Sequence, residues 1–504
     1  MNSWRKKLLL YSPLILVEIY LLFTIVLYQF GPLDWKTENE GMFWFFLAMY
    51  HIAFIGGYLL STKAIKARPS QMQTAQMNPR LYRWLIWGVL AVCVVCACIE
   101  YKNLTHASSY IPYELPKNFI AGLINPAKQY YSKFTAAGVS SSKLVTAISA
   151  LFSFLYVSLI PLMVVEWKRF SVPQRIVAFL IILFKVVTYV SVATNKGIFD
   201  TMFSFAGILL VLVLLNVFHG NDAHIDKKTF LTVAAFTLFL VIFSFTYFTA
   251  NISSRVSSPV DYAMNVAGHA TTAPATTAPE TTEPETTEPE TTEPETTVPE
   301  TTEPEATESE TTEPEATTPA ATVSGSTTEN QPKDPPKKQD SFLKRMLYSV
   351  SNYLCQGYYG MSLSLDEEFT TTYGIGSSQF LMSNFKSLFG IDVKDRTYQH
   401  KVDALWDEDG KWHSFYSYIA NDVSFYGVIA VMFLIGLFFG CICRDVFLNN
   451  SLIGKLLLPL FVVLFMYMPA NNQVFTGMAT CTAFLELSFL WILSKLIRKR
   501  TRHE

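Results

Sequence analysis

The sequence predicts an all-α polytopic membrane protein with about ten transmembrane helices. Three observations lead to this fold class. Of the 504 residues, 50% are hydrophobic, and only 16% are charged, whereas soluble proteins carry about a quarter charged residues. Apolar runs of about twenty residues recur along the chain, and each is long enough to cross a hydrocarbon core of about 30 Å as a helix. We therefore expect the chain to span a membrane many times.

Ten apolar runs meet this length. They cover residues 8–29, 42–61, 82–99, 144–165, 174–193, 200–218, 230–250, 423–441, 453–470 and 478–496. The first run follows the basic stretch "WRKK", as the apolar part of a signal peptide would. At about 22 residues it is too long for a signal peptide, and it lacks a small-residue cleavage site. We expect it to remain as an uncleaved anchor.

The lysine and arginine residues of the short loops predict that both termini are cytoplasmic. The basic loops between spans fall on the same predicted face as the basic N-terminus and the C-terminal "KLIRKRTRHE". The opposite face then carries one large external loop, residues 251–422, between helices seven and eight. The predicted organisation is a membrane domain of residues 1–250, this loop, and a second membrane domain of residues 423–504 with a basic cytoplasmic tail.

A Thr/Glu/Pro repeat divides the external loop. Residues 271–331 hold 15 glutamates and no lysine or arginine. Taking these away from the 41 acidic residues leaves 26 against 39 basic ones, so the rest of the chain is basic despite a formal net charge of −2. Because the tract has almost no apolar side chains to bury, we expect it to be disordered. We interpret it as a spacer.

Residues 341–422, after the repeat, are expected to form a folded, membrane-associated part of the loop. Leu343, Met346, Leu347, Val350 and Leu354 follow the i, i+3, i+4 spacing of an amphipathic helix. The basic residues at its start and the tyrosines that follow suit a membrane interface. The loop therefore contains more than a spacer.

Several chemistries have no sequence signal. The chain contains no P-loop, no dinucleotide-binding glycine motif, no HExxH and no G-x-S-x-G. Six of the seven cysteines lie in or beside apolar runs, where packing is the simplest interpretation. We expect no metal, no cofactor and no nucleic-acid partner.

Five polar residues near the predicted external face are candidates for chemistry. Lys196, Arg255 and Arg396 could bind a lipid-linked diphosphate and stabilise it as a leaving group. His413 or Asp422 could act as a general base toward a sugar hydroxyl. Plainer interpretations stay open: interfacial anchors for Lys196 and Arg255, solvated surface groups for Arg396 and His413, and a helix cap for Asp422.

Three further ionisable residues, Glu18, Lys185 and Glu486, fall inside predicted spans. Charged side chains are costly within a bilayer and commonly line a polar interior or cavity. The sequence leaves open whether they pair with one another, snorkel to the surface, or pack beside serine and threonine.

The motifs resemble those of one family. "SNYLCQGYYGMSLSL" is followed by "TTYGIGSS" and by "WHSFYSYIANDVSFYGVIAV", which runs into a span. "TNKGIFDTMFSF" provides a short basic connector, and "NPAKQYYSKF" is a weaker similarity. With about ten spans and one large late external loop, the chain resembles the Wzy-like O-antigen polymerases, the oligosaccharide repeat-unit polymerases of bacterial surface polysaccharides. The acidic repeat is not a feature of that family.

The resemblance implies a helical glycosyltransferase of the bacterial cytoplasmic membrane with its active site on the external face. It would transfer a growing polyprenyl-diphosphate-linked glycan onto another lipid-linked repeat unit, for an exopolysaccharide or capsule. Lys196 matches the basic connector position, where many relatives carry Arg. Arg255, Arg396 and His413 match basic loop positions, and Asp422 matches the acidic start of the next span.

The resemblance also implies partners: donor and acceptor glycans, membrane lipid, a flippase and a chain-length regulator. Two other classes stay open. An O-antigen-ligase-like or other lipid-linked glycosyltransferase would share the architecture and differ in its acceptor. A flippase-type polysaccharide transporter would show internal repeats and discontinuous helices.

Overall fold

The computed structural model describes residues 3–65, 78–135, 142–219, 227–256, 341–408 and 410–500. All regular structure in these ranges is helical. The helices are α1 (Ser3–Phe30), α2 (Glu40–Ala64), α3 (Pro79–Thr105), α4 (Leu115–Ile124), α5 (Pro126–Thr135), α6 (Lys143–Leu151), α7 (Ser153–Val157), α8 (Leu159–Val165), α9 (Val172–Ser191), α10 (Lys196–His219), α11 (Lys227–Val256), α12 (Phe342–Ser364), α13 (Gln379–Phe389), α14 (Tyr398–Lys401), α15 (Phe415–Asn449), α16 (Leu452–Tyr467), α17 (Gln473–Thr476) and α18 (Met478–Arg500). The predicted disordered repeat, residues 271–331, lies outside the described residues.

Eight of the described helices are long and apolar enough to cross a membrane: α1, α2, α3, α9, α10, α11, α15 and α18. The predicted all-α class is therefore confirmed for the described residues, and eight candidate spans agree with a polytopic membrane protein. The two remaining predicted spans differ. Residues 453–470 correspond to α16, an apolar helix of only 16 residues, and residues 144–165 form three short helices, α6 to α8.

The break between α6 and α7 is stabilised by a distant carboxylate. At Phe152 the backbone leaves the helical region, with φ −108° and ψ 5°. The N–H of Phe154 and the hydroxyl of Ser153 each donate to Glu486 Oε2 at 3.2 Å. Glu486 lies on α18, so its charge satisfies donors that the broken helix leaves free. Glu486 thus pairs with the broken segment rather than with Glu18 or Lys185.

Helices α2 and α15 pack closely along their lengths, with glycines at the crossing. A Cβ on Gly57 would lie 2.0 Å from the carbonyl oxygen of Phe433, and one on Gly436 would lie 2.1 Å from that of Phe54. Both distances are far inside van der Waals contact, so only glycine allows the backbones to meet. Small residues permit this close approach in membrane helices. The contact joins a helix before the repeat to one after it.

Helix α15 contains a kink at Ser424, which has φ 62° and ψ 166°. This conformation is sparsely populated by residues other than glycine and costs about 1–3 kcal/mol. The kink frees the carbonyls of Asn421 and Asp422. Thr372 donates to the first through its N–H at 3.2 Å and its hydroxyl at 2.8 Å, and Thr371 donates to the second at 3.4 Å. The predicted span boundary at residue 423 therefore marks this kink, not the start of the helix.

The segment after the repeat packs onto the membrane helices. The predicted amphipathic helix is present as α12. Tyr358 on α12 forms a hydrogen bond of 3.1 Å with Thr24 on α1, and its ring meets that of Tyr28 at 5.6 Å. Residues before and after the repeat thus contribute to one hydrophobic core.

Candidate functional site

Lys196 is the first residue of α10, so the helix begins four residues before the predicted span 200–218 and includes a residue that was expected in the connector. Its Nζ lies 3.0 Å from Oδ2 of Asp200, one turn along the same helix. The side chain of Lys196 is 28% exposed and that of Asp200 is 12% exposed. The cation is therefore partly accessible, whereas its carboxylate partner is largely enclosed.

The connector before Lys196 is held against the end of α11. Asn251, fully buried on α11, donates through Nδ2 to the carbonyl of Ala193 at 2.8 Å and to Oδ1 of Asn195 at 2.9 Å. Arg255 lies one turn further along α11. The backbone thus brings the Arg255 end of α11 to the Lys196 connector, while the side chain of Arg255 lies outside the described residues.

Asp200 is a candidate site residue that was not predicted from the sequence. Its Oδ1 is buried and has no hydrogen-bond partner among the described residues. The side chain lines a cavity of about 40 Å³, which Lys185 on α9 and Thr480 on α18 also line. The i, i+4 spacing of Lys196 and Asp200 in "KGIFD" was the available signal. The cavity is sized for two or three water molecules.

A fourth ionisable residue, Glu100 on α3, completes the polar region. Its carboxylate accepts hydrogen bonds from the hydroxyl of Tyr156 at 2.5 Å and from that of Tyr189 at 2.9 Å. Lys185 lies over the Tyr156 ring, 4.9 Å from its centroid. Tyr189 also packs against Gly197, where a Cβ would lie 2.2 Å from its ring. Glu100 and Lys185 are thus held in the same neighbourhood as the Lys196–Asp200 pair.

Arg396 and Asp422 contact one turn, residues 371–377. Arg396 donates to the carbonyl of Thr371 at 3.5 Å and lies over the ring of Tyr373, 5.3 Å from its centroid. Both oxygens of Asp422 are engaged by this turn. Oδ1 accepts from the hydroxyl of Thr372 at 2.5 Å and from the N–H of Gly376 at 3.0 Å, and Oδ2 accepts from the N–H of Ser377 at 3.0 Å.

Asp422 therefore organises a loop rather than capping a helix. The interpretation as a helix cap was wrong, because α15 begins at Phe415 with Ser414 as its N-cap. At the kink, it is the Ser424 hydroxyl that accepts from the N–H of Gly427, at 3.4 Å. The contacts of Asp422 favour a positioning role over contact with a substrate.

We expect Asp422→Ala to lower the free energy of unfolding by about 2–4 kcal/mol, because three donors of the turn lose a charged acceptor. Asp422→Asn should lower the free energy of unfolding less, since its amide oxygen can still accept hydrogen bonds from Thr372 and Gly376. Thermal unfolding of the purified protein in detergent measures the effect. Asp366→Ala, at an exposed position of the same segment, is the control. Equal stability of Asp422→Ala and this control would contradict the assignment.

His413 is fully buried, contrary to its interpretation as a surface histidine. Neither ring nitrogen makes a hydrogen bond of normal geometry to another described residue. Burial lowers the pKa of His413 to about 3, and the neighbouring backbone of Gly360 offsets only part of this effect. A neutral, enclosed imidazole cannot reach a sugar hydroxyl in this conformation. His413 is therefore a packing residue here.

The buried His413 predicts a loss of stability in acid. Its pKa is lower in the folded state than the usual value of about 6.5, so protons bind the unfolded chain preferentially. The contribution of neutral His413 to the free energy of unfolding should be fully present above pH 6.5. Between pH 6.5 and 3, the free energy of unfolding should fall by up to about 1.4 kcal/mol per pH unit. His413→Asn should lack this component. Unfolding curves of both proteins at several pH values test it, and parallel curves would contradict it.

Four of the five predicted site residues fall into two groups, and the buried His413 belongs to neither. The first contains Lys196 and the end of α11 that carries Arg255, together with Asp200. The second contains Arg396 and Asp422 around the turn of residues 371–377. Among the described residues there is no group of three or more potential metal ligands. Comparison with protein-family models, with curated proteins and with solved structures found no match.

Proposed function

We propose that the protein is a membrane glycosyltransferase that polymerises polyprenyl-diphosphate-linked oligosaccharide repeat units at the external face of the bacterial cytoplasmic membrane. The observation that carries this proposal is the Lys196–Asp200 pair at the start of α10. It places a partly exposed cation beside a largely enclosed carboxylate whose Oδ1 has no hydrogen-bond partner among the described residues. The resemblance of the motifs to repeat-unit polymerases supplies the substrate class.

Lys196 and the start of α10 together form an anion-binding end. The first N–H groups of a helix lack partners within it and carry partial positive charge. A diphosphate placed there would contact both these groups and the ammonium. As the bond between the anomeric carbon and the diphosphate oxygen breaks, the same groups would stabilise the charge that develops on the leaving diphosphate.

Asp200 provides the complementary base. The hydroxyl oxygen of the acceptor sugar attacks the anomeric carbon of the donor, the new glycosidic bond forms, and the lipid diphosphate leaves. The hydroxyl proton passes to Oδ1 of Asp200 through a water molecule, because that oxygen is buried. The adjoining cavity of about 40 Å³ has room for such a water but not for a sugar ring. The sugars would therefore approach from the Lys196 end.

Arg396 and Asp422 have a different part in this proposal. Both hold the turn of residues 371–377, and Asn472, in the segment before α18, donates to the carbonyl of Ser377 at 2.6 Å. α18 also carries Thr480, which lines the cavity with Asp200. Arg396, Asp422 and the turn that they hold would thus position the outer end of the helices that enclose the site.

Three observations favour a second candidate, a flippase-type transporter. The segment of residues 143–165 is discontinuous, α15 is kinked, and Glu18 pairs with His51 at 2.7 Å within the helical bundle. Broken helices and enclosed ionisable residues are typical of transporters. Such a protein would move lipid-linked glycan across the membrane without extending it.

Deletion of the gene distinguishes these functions. Loss of a polymerase should abolish long-chain polysaccharide and leave single lipid-linked repeat units on the external face. Loss of a transporter should trap these units on the cytoplasmic face, and loss of a ligase should leave polymer that is not transferred to its final carrier. Extraction of lipid-linked glycans, with and without enzymatic access from outside, provides the measurement. Polysaccharide of normal length would refute the proposal.

A further inference from the structure

The segment after the repeat contains a second cavity, of about 330 Å³. It lies between α13, the short helical turn Lys394–Arg396 and the start of α15, and most of the residues that line it have polar side chains. Its volume falls at the lower end of the range of about 300–1,000 Å³ that small-molecule sites occupy. The cavity shares no lining residue with the one beside Asp200.

The charges that line this cavity are balanced. Lys386 lies 2.5 Å from Asp392, and Lys394 lies 2.6 Å from Glu408. Hydrogen bonding to Lys386 holds the pKa of the Asp392 carboxyl below its usual range. With two cations and two carboxylates, the lining offers no net positive charge to an anion. It offers both donors and acceptors, the combination that binds hydroxyl groups.

Gln399 provides an independent indication of a ligand. The residue lines the cavity and is only 6% exposed. Its Oε1 accepts from Nδ2 of Asn421 at 2.8 Å, which fixes the amide orientation, but its Nε2 has no partner among the described residues. A buried donor without an acceptor is costly. An oxygen atom of a bound ligand would satisfy it.

We propose that this cavity binds one or two uncharged sugar residues. Glu408 and Asp392 accept hydrogen bonds from sugar hydroxyls, the Gln399 amide donates to a sugar oxygen, and Tyr418 and Met382 provide apolar surface for the C–H face of the ring. This inference rests on the proposed function for the source of the sugar, which is one of the two lipid-linked glycans. The bound sugars hold that glycan on the extramembrane segment while its reacting end lies elsewhere.

The probe is a set of oligosaccharides released by partial hydrolysis of the surface polysaccharide of the producing strain. Binding to the purified full-length protein in detergent is measured by saturation-transfer NMR and titration. We expect saturable binding that Ser383→Trp weakens at least about tenfold, because Ser383 is exposed and lines the cavity, so a large ring there fills it. Ser387→Trp, at an exposed position of the same helix outside the lining, should bind within about twofold of wild type.

A second variant tests the chemistry. Glu408→Gln should weaken binding at least about tenfold, because a charged acceptor is lost, whereas Glu368→Gln, an exposed position on the same segment, should not. Absence of saturable binding, or equal binding by Ser383→Trp and wild type, overturns the proposal. Inorganic pyrophosphate that binds in place of the oligosaccharides and is excluded by Ser383→Trp also overturns it, in favour of an anion site.

The two proposals fail separately. If Lys196→Ala abolishes polymer but no oligosaccharide binds, the sugar site is refuted and the polymerase stands. If oligosaccharides bind and Ser383→Trp excludes them while deletion of the gene leaves polymer length unchanged, the polymerase is refuted and the sugar site stands.

Discussion

Replacement of Lys196 by alanine is expected to reduce polymer formation at least about a hundredfold. Loss of one donor that stabilises developing negative charge typically lowers the rate by about 10²–10³-fold. Lys196 provides such a donor at the start of α10, with a side chain that is 28% exposed. Lys196→Arg should retain at least a tenth of wild-type activity, because it keeps the charge and adds two-point phosphate recognition. Polymer length and the pool of lipid-linked single repeats are the measurements.

The matched control is Lys117→Ala. Lys117 is exposed on α4, and its removal should leave polymer length unchanged. Because Lys196→Ala leaves Asp200 without its ion-pair partner, thermal unfolding and expression level must accompany the assay. A folded Lys196→Ala protein that makes polymer of normal length would remove Lys196 from the mechanism.

Asp200→Asn is expected to lower kcat by about 10²–10⁴-fold, the range that a general base contributes. The amide has nearly the same shape and can still accept a hydrogen bond from Lys196, so KM for the lipid-linked substrate should change little. A purified-protein assay with lipid-linked repeat units measures both constants. A large rise in KM with unchanged kcat would instead assign Asp200 to binding.

Ser204→Ala provides the control for Asp200. Ser204 lines the same cavity, and its hydroxyl donates to the carbonyl of Asp200 within α10 at 2.8 Å. The substitution perturbs the cavity without removing an acid–base group, so we expect at most a fewfold change in kcat. Equal decreases in kcat for Asp200→Asn and Ser204→Ala would show that activity is sensitive to any change in the cavity. That result would contradict the assignment of Asp200 as a base.

The polytopic helical class could be predicted because membrane-spanning length is a local property of the sequence. The predicted span at residues 144–165 is as apolar as its neighbours, yet it forms three helices. Its break depends on Glu486, more than 300 residues away, and no local pattern carries that information. The kink at Ser424 is similar, because its freed carbonyls are satisfied by Thr371 and Thr372 from another loop.

The candidate site was predicted only in part, because some of its contacts join residues that are distant in the sequence. Lys196 was identified by its position between two spans, and its ion pair with Asp200 follows from local spacing. His413 looked like a surface residue because its neighbours "KWHSF" are polar and aromatic, but the fold encloses it under Gly360. Asp422 was a candidate general base or helix cap, but both of its carboxylate oxygens accept hydrogen bonds from residues about fifty positions earlier.

The glycine contact between α2 and α15 has a consequence for biogenesis. During synthesis, α2 enters the bilayer long before α15 is made, so the surface around Gly57 faces lipid until the C-terminal helices insert. Long-range contacts of this kind form late and slow folding. A chain cut within residues 271–331 and expressed as two polypeptides should reassemble through the contact between α2 and α15. Gly57→Leu should prevent this reassembly. The halves would then accumulate as separate, protease-sensitive fragments.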